Sequence, residues 1–154
     1  MHQPDVYQSV VDFLDLFDTT FTHEADAVKA LEITLDQLAL ALHFINYTFE
    51  PNWPDPPQQD YTVFRDKARQ RFPSFGLYNT PASITEQIAA TTINVGDAID
   101  DIADIACELN IARWCWRNTS PDDALWHLEF GRNSHFGWHI RELQQYIEAC
   151  KNQL

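Results

Sequence analysis

A chain of 154 residues, 45% hydrophobic and 21% charged, has enough apolar material for one folded core and is not a disordered polymer. Its net charge of −13 and pI near 4.6 argue against nucleic acid and membrane surfaces as partners, and leave a basic protein, a second copy or a cation. No apolar run approaches the roughly 20 residues of a membrane span. Met1 to Asp5 lacks the basic start and apolar core of a secretory leader, and Cys107, Cys115 and Cys150 show no CxxC spacing, so the expectation is a cytoplasmic protein of bacterial type with free thiols.

In chain order, Val6, Val10, Phe13, Leu14 and Phe17 recur at helical spacing after Pro4. Thr22 reads as the cap of a second helix, with Glu24 and Asp26 in its first turn and Val28, Leu31, Leu35, Leu38, Leu42 and Ile45 as its buried stripe. Residues 50–60 hold Pro51, Pro54, Pro56 and Pro57, and predict a stiff connecting loop anchored by Trp53. A third helix spans Tyr61 to Phe72 and carries Arg65, Lys67, Arg69 and Arg71; Arg65 and Arg69 share a face that either meets solvent or turns toward acids. Ser83 with Glu86 predicts a capping box and a short helix to about Ala90. Asn94 is then the expected cap of a central helix that runs to about Asn118, the alternative being one bent helix over residues 83–118. Ser120-Pro121-Asp122-Asp123 opens the last helix, which reaches about Asn152 with a kink between Gly131 and Gly137. With four glycines and no alternating apolar runs, the expected fold is all-α. It is a single domain over residues 1–154, a bundle of five or six mainly antiparallel helices with no sheet.

The central helix carries Asp97, Asp100, Asp101, Asp104 and Glu108 on one stripe, which repel one another unless something positive answers them. The last helix places Glu129, Arg132, His135 and His139 on or beside its apolar face, where charge is costly unless paired. An antiparallel hairpin closed near Thr119 is expected to bring 104 near 132 and 100 near 136. Two readings follow for Asp97, Asp100, Asp101, Asp104, Arg132, His135 and His139. In the first, Arg132 and the histidines neutralise the acids inside a non-catalytic regulatory or protein-interaction module. In the second, Asp100, Asp104, His135, His139 and Glu142 bind a divalent metal (Mn, Mg, Zn or Fe) and the protein is a hydrolase. Arg132 stands against the second reading, because it would repel a cation. A solvated acidic face is the remaining option. No Gly-x-Ser-x-Gly or phosphate-loop motif is present, and Cys107 and Cys115 read as core thiols.

The string Asp97-x-x-Asp100-Asp101-x-x-Asp104 is similar in composition to all-α nucleotide pyrophosphatases, which bind Mg between acidic motifs on two helices; this chain has one such stretch. A closer resemblance covers nearly the whole chain. Asp100-Asp101-Ile-Ala-Asp104-Ile, His135-Phe-Gly137-Trp-His139 and Arg71-Phe-Pro73-Ser-Phe-Gly76-Leu-Tyr78 resemble the segments of an uncharacterised bacterial family, domain of unknown function five-zero-six-three. Phe136 stands where that family carries tryptophan. The resemblance implies one helical domain and no assigned activity.

Overall fold

The computed structural model describes residues 2–152. Met1, Gln153 and Leu154, at the ends of the expected domain, lie outside the described residues. Helices α1 (Val6–Asp15), α2 (Glu24–Ala41), α3 (Tyr61–Arg71), α4 (Ala98–Asn118), α5 (Pro121–Gly131) and α6 (Gly137–Lys151) make up most of the chain. A single 3-10 turn, Leu42–Phe44, ends α2, and a π-helical turn, Arg132–Phe136, joins α5 to α6. The last two helices thus form one rod, and the molecule is a bundle of five rods.

The expectation of no sheet is corrected. Strands β1 (Leu77–Pro81) and β2 (Ile93–Asp97) pair antiparallel, Leu77 opposite Asp97 and Tyr78 opposite Gly96. The expected helix from Ser83 to Ala90 does not form. Ser83 Oγ does accept from the Glu86 backbone N–H at 3.1 Å, so the local bond that signals a helix start is made. The chain then turns back through positive φ at Gln87 (51°) and Ala89 (62°), which no α-helix allows, and closes the ladder. Asn94 is not a cap either; it pairs with Thr80 inside the ladder. Asp97 caps α4, its Oδ1 accepting from the backbone N–H of Ile99 at 3.0 Å and of Asp100 at 3.4 Å. His23, not Thr22, precedes α2, and it makes no side-chain cap bond. Ser120 does cap α5, taking the Asp123 N–H at 3.0 Å, with Pro121 at the first helical position.

The core is continuous. Phe13 of α1, Leu31, Leu35 and Leu38 of α2, Ile102, Ile105 and Leu109 of α4, and Leu128, Ile140 and Leu143 of the last rod are all fully buried. Packing α4 against α5 and α6 as an antiparallel hairpin brings its acidic stripe against the last rod. The 50–60 loop has no regular structure, and Trp53 lies 40% exposed on it, so the loop is tied down by Glu50 on Ser120 and by Gln59 on Asn110 rather than by its tryptophan.

Candidate functional site: an Asp–His–His triad between the central helix and the last rod

Three side chains converge where α4 meets the π turn and α6. Asp104 comes from the second turn of α4, His135 from the π turn and His139 from the first turn of α6. His139 Nε2 and His135 Nε2 are 3.2 Å apart. Asp104 Oδ2 lies 3.5 Å from the first and 3.6 Å from the second. The result is a near-equilateral triangle of one carboxylate oxygen and two imidazole nitrogens, with His135 open to solvent along one side.

Each imidazole is held from behind by a carboxylate. Asp101 Oδ1 lies 2.6 Å from His139 Nδ1, and Glu108 Oε1 lies 3.4 Å from His135 Nδ1. A carboxylate at Nδ1 keeps the proton on that nitrogen and turns the Nε2 lone pair toward the triangle. Glu108 sits against Gly131, where a Cβ would stand 2.6 Å from its Oε2; glycine leaves the space in which Glu108 reaches His135.

Asp101 is almost fully buried, and its other oxygen takes the hydroxyl of Tyr78 from β1. The pleat makes this contact. Tyr78 and Thr80 project from one face of the hairpin toward α4 and α6, and the Tyr78 ring fills the room left by Gly96, where a Cβ would lie 2.3 Å from the ring. Glu142, expected as a metal ligand, lies in a neighbouring group of possible ligands with Asp101 and His139, and it also accepts from protein donors. Thr80 Oγ1 and Trp138 Nε1 each donate to its Oε1 at 2.7 Å, and Tyr78 approaches Oε2 at 3.3 Å.

Of the expected site, Asp101, Asp104, His135 and His139 come together. Asp100 and Asp97 turn to the α3 side, where Asp100 takes the Tyr61 hydroxyl and Asp97 lies 3.5 Å from Arg65. Arg65 thus does turn toward the acids. Arg132 does not join them, which corrects the expected network. Its Nη1 donates to the Leu42 carbonyl at 2.6 Å, and its Nε to Asn133 at 3.3 Å. The hairpin runs about one helical turn out of the expected register, so Asp104 meets 135 and 139 rather than 132. The cation expected to answer the acids is therefore absent from the triangle, among the described residues.

Electrostatics match this geometry. Burial, and then the nearby Asp100 carboxylate, push the Asp104 carboxyl above its ordinary range, while the two imidazoles pull it back. The hydrogen bond that His139 donates to Asp101 raises the basicity of the imidazole against the opposing effect of burial. Tyr78 is driven far above its ordinary value by burial and by Asp101, so it stays a neutral donor. Sequence reasoning missed Tyr78 and Thr80, since a two-stranded hairpin was not expected. It did place Glu108 on the acidic stripe, without the pairing to His135.

A second group of donors, Cys115, Asp123 and His127, lies at the far end of α4. Burial and Asp123 push the Cys115 thiol up to about 12, and Thr119 Oγ1 donates to Asp123 at 2.5 Å. In the metal-free protein these groups form a packed polar contact, with His127 Nε2 3.8 Å from Asp123.

No family model matches the chain, and no curated protein matches it. Among solved structures, the fold is similar to the crystal structure of protein BF1032 from Bacteroides fragilis, a structural genomics target, with a TM-score of 0.74 at 13% identity over 95% of this chain and 89% of that one. At that identity the likeness shows the fold alone. No helix among the described residues is long and apolar enough to cross a membrane.

Proposed function

We propose that this protein binds one divalent first-row metal ion through Asp104, His135 and His139. The observation that carries the reading is the triangle itself. Donors about 2.0–2.1 Å from a common ion lie about 3.0 Å apart when octahedral and about 3.4 Å apart when tetrahedral, and the three edges here are 3.2, 3.5 and 3.6 Å. Carboxylates behind both imidazoles support it, because they orient ligating histidines in this way. Two imidazoles and one carboxylate on one face suit Zn, Fe(II) or Mn better than Mg or Ca. Three protein ligands leave positions open on the solvent side. An ion so held would supply Lewis acidity and lower the pKa of a bound water, the chemistry of a hydrolase.

Elemental analysis of the purified protein, followed by calorimetric titration of the metal-free form with Zn and Mn, tests this. One ion per chain is expected, lost in His139→Ala and Asp104→Ala. Absence of metal together with no thermal shift on adding either ion would sink the reading.

A protein-interaction role is the second reading, favoured by one feature. The outer face of the hairpin and its connecting loop leave Leu77, Ile84, Ile88, Ile93 and Val95 each more than half exposed. Light scattering at rising concentration tests it, with self-association expected to disappear in Val95→Lys.

A further inference from the structure

We propose that a pocket beside the π turn binds the phosphoryl group of a small molecule with a flat apolar part. The pocket is a cavity of about 380 Å³ whose walls include Leu42, His43, Arg132, Asn133, Trp138 and Arg141. It is not the triad. Arg141 lies about 200° around the helix from His139, and the pocket opens between the end of α2 and the last rod; His135 alone belongs to both.

The charge is the first argument. This chain has 23 acidic and 10 basic residues, and its long-range field repels anions. Yet two guanidinium groups and two imidazoles, His43 and His135, line one small cavity, and among the described residues neither arginine has a carboxylate within 4 Å. The donor count is the second. A guanidinium carries five N–H bonds. Arg132 spends one Nη1–H on the Leu42 carbonyl and Nε–H on Asn133, which leaves three N–H bonds, two of them on Nη2; Arg141 spends one Nη1–H on Gln144. Asn133 accepts through Oδ1 and so presents its NH2, and His43 has no hydrogen-bond partner among the described residues. Ser134 is excluded as a donor, because its hydroxyl is given to the Phe130 carbonyl. Donors from two arginines, an amide and an imidazole exceed what the two oxygens of a carboxylate use. They suit the three free oxygens of a phosphoryl group, which guanidinium forks match.

Preorganisation is the third argument. The Leu42 carbonyl bond fixes Arg132, and Gly137 makes room for it, since a Cβ there would stand 2.9 Å from Arg132 Cγ. Apart from Ser134 and His135, the rest of the lining is apolar. Leu42 and Ile140 form the floor, and the Trp138 ring, 54% exposed, stands at the rim where a flat group would stack.

Calorimetric titration of the metal-free protein with inorganic phosphate, phenyl phosphate and benzoate tests the assignment. Saturable one-to-one binding of phosphate is expected, tighter for phenyl phosphate, with quenching of tryptophan fluorescence. Arg141→Gln, on the exposed side of α6, should weaken it about tenfold with the melting temperature unchanged. Arg117→Gln, which removes equal charge at the far end of α4, should leave it as it is. Absence of saturable binding overturns the proposal, as does an equal loss in Arg117→Gln, or benzoate binding as tightly as phenyl phosphate. The proposal does not rest on the metal reading. Phosphate held only by metal-loaded protein would place it on the ion and overturn the pocket.

Discussion

His139 is the residue on which the site turns. Its Nδ1 rests on Asp101 and its Nε2 points into the triangle, so one ring links a buried carboxylate to the proposed ion. Asp101→Asn keeps the shape but removes the charge that holds the tautomer; we expect metal affinity to fall about 10- to 100-fold, measured by competition with a chromophoric chelator. Asp104→Asn should behave differently. Its carboxyl is raised by burial and by Asp100, so the charge is a strain on the metal-free fold. The variant should lose metal binding and yet melt at a higher temperature without metal, a separation that scanning calorimetry reads directly. The thiols allow a third check. Burial lifts Cys107 to about 11 and Cys115 to about 12, so their alkylation by iodoacetamide at pH 8 should be at least about a hundredfold slower than in the urea-unfolded chain.

At the scale of elements, the hairpin holds Asp101 in place. Tyr78 reaches Asp101 because Gly96 stands opposite it, and an alanine there would strike the ring. Gly96→Ala should destabilise the protein by about 1–3 kcal/mol and lower metal affinity as well, because the Tyr78 hydroxyl leaves its carboxylate; urea unfolding and metal titration on the same sample test both. Most of the helices were legible because they carry a periodic apolar stripe or a local boundary signal, such as the Ser120-Pro121 start of α5. The hairpin was not. Its strands are five residues long with one face exposed, too short to alternate convincingly, and Ser83 with Glu86 makes the same first bond in a turn as in a helix. The site was legible in kind, since charges on a core-facing stripe must meet partners. Most of its membership was legible too, Asp101, Asp104, His135 and His139; the place of Arg132 was not, because one turn of register decides whether it or His139 reaches Asp104, and sequence spacing does not fix a hairpin to within one turn.

For the whole molecule, pH should act differently on the metal-free and metal-loaded forms. His139 is raised above its unfolded value, so its contribution is full below the ordinary histidine value of 6.5 and is lost as pH rises through the higher folded value. Asp104 is raised too, and an acid that holds its proton more tightly when folded loses stability as pH climbs above its unfolded 3.8. Metal-free protein should therefore melt lower at pH 8 than at pH 6. Metal needs deprotonated ligands, so the gap between loaded and metal-free melting temperatures should widen over the same interval.

The π turn also sets a phase. One extra residue in a helix rotates everything beyond it by about 100°. α5 and α6 are thus two gears on one shaft, cut out of step so that Gly131 can mesh with Glu108 while His135 and His139 aim at Asp104. Deleting Asn133 would restore an unbroken α-helical ladder and better hydrogen bonds. It would also force the shaft to choose between the bundle's packing and the triad's aim. A variant that is more regular in its backbone and unable to bind metal is the expected product.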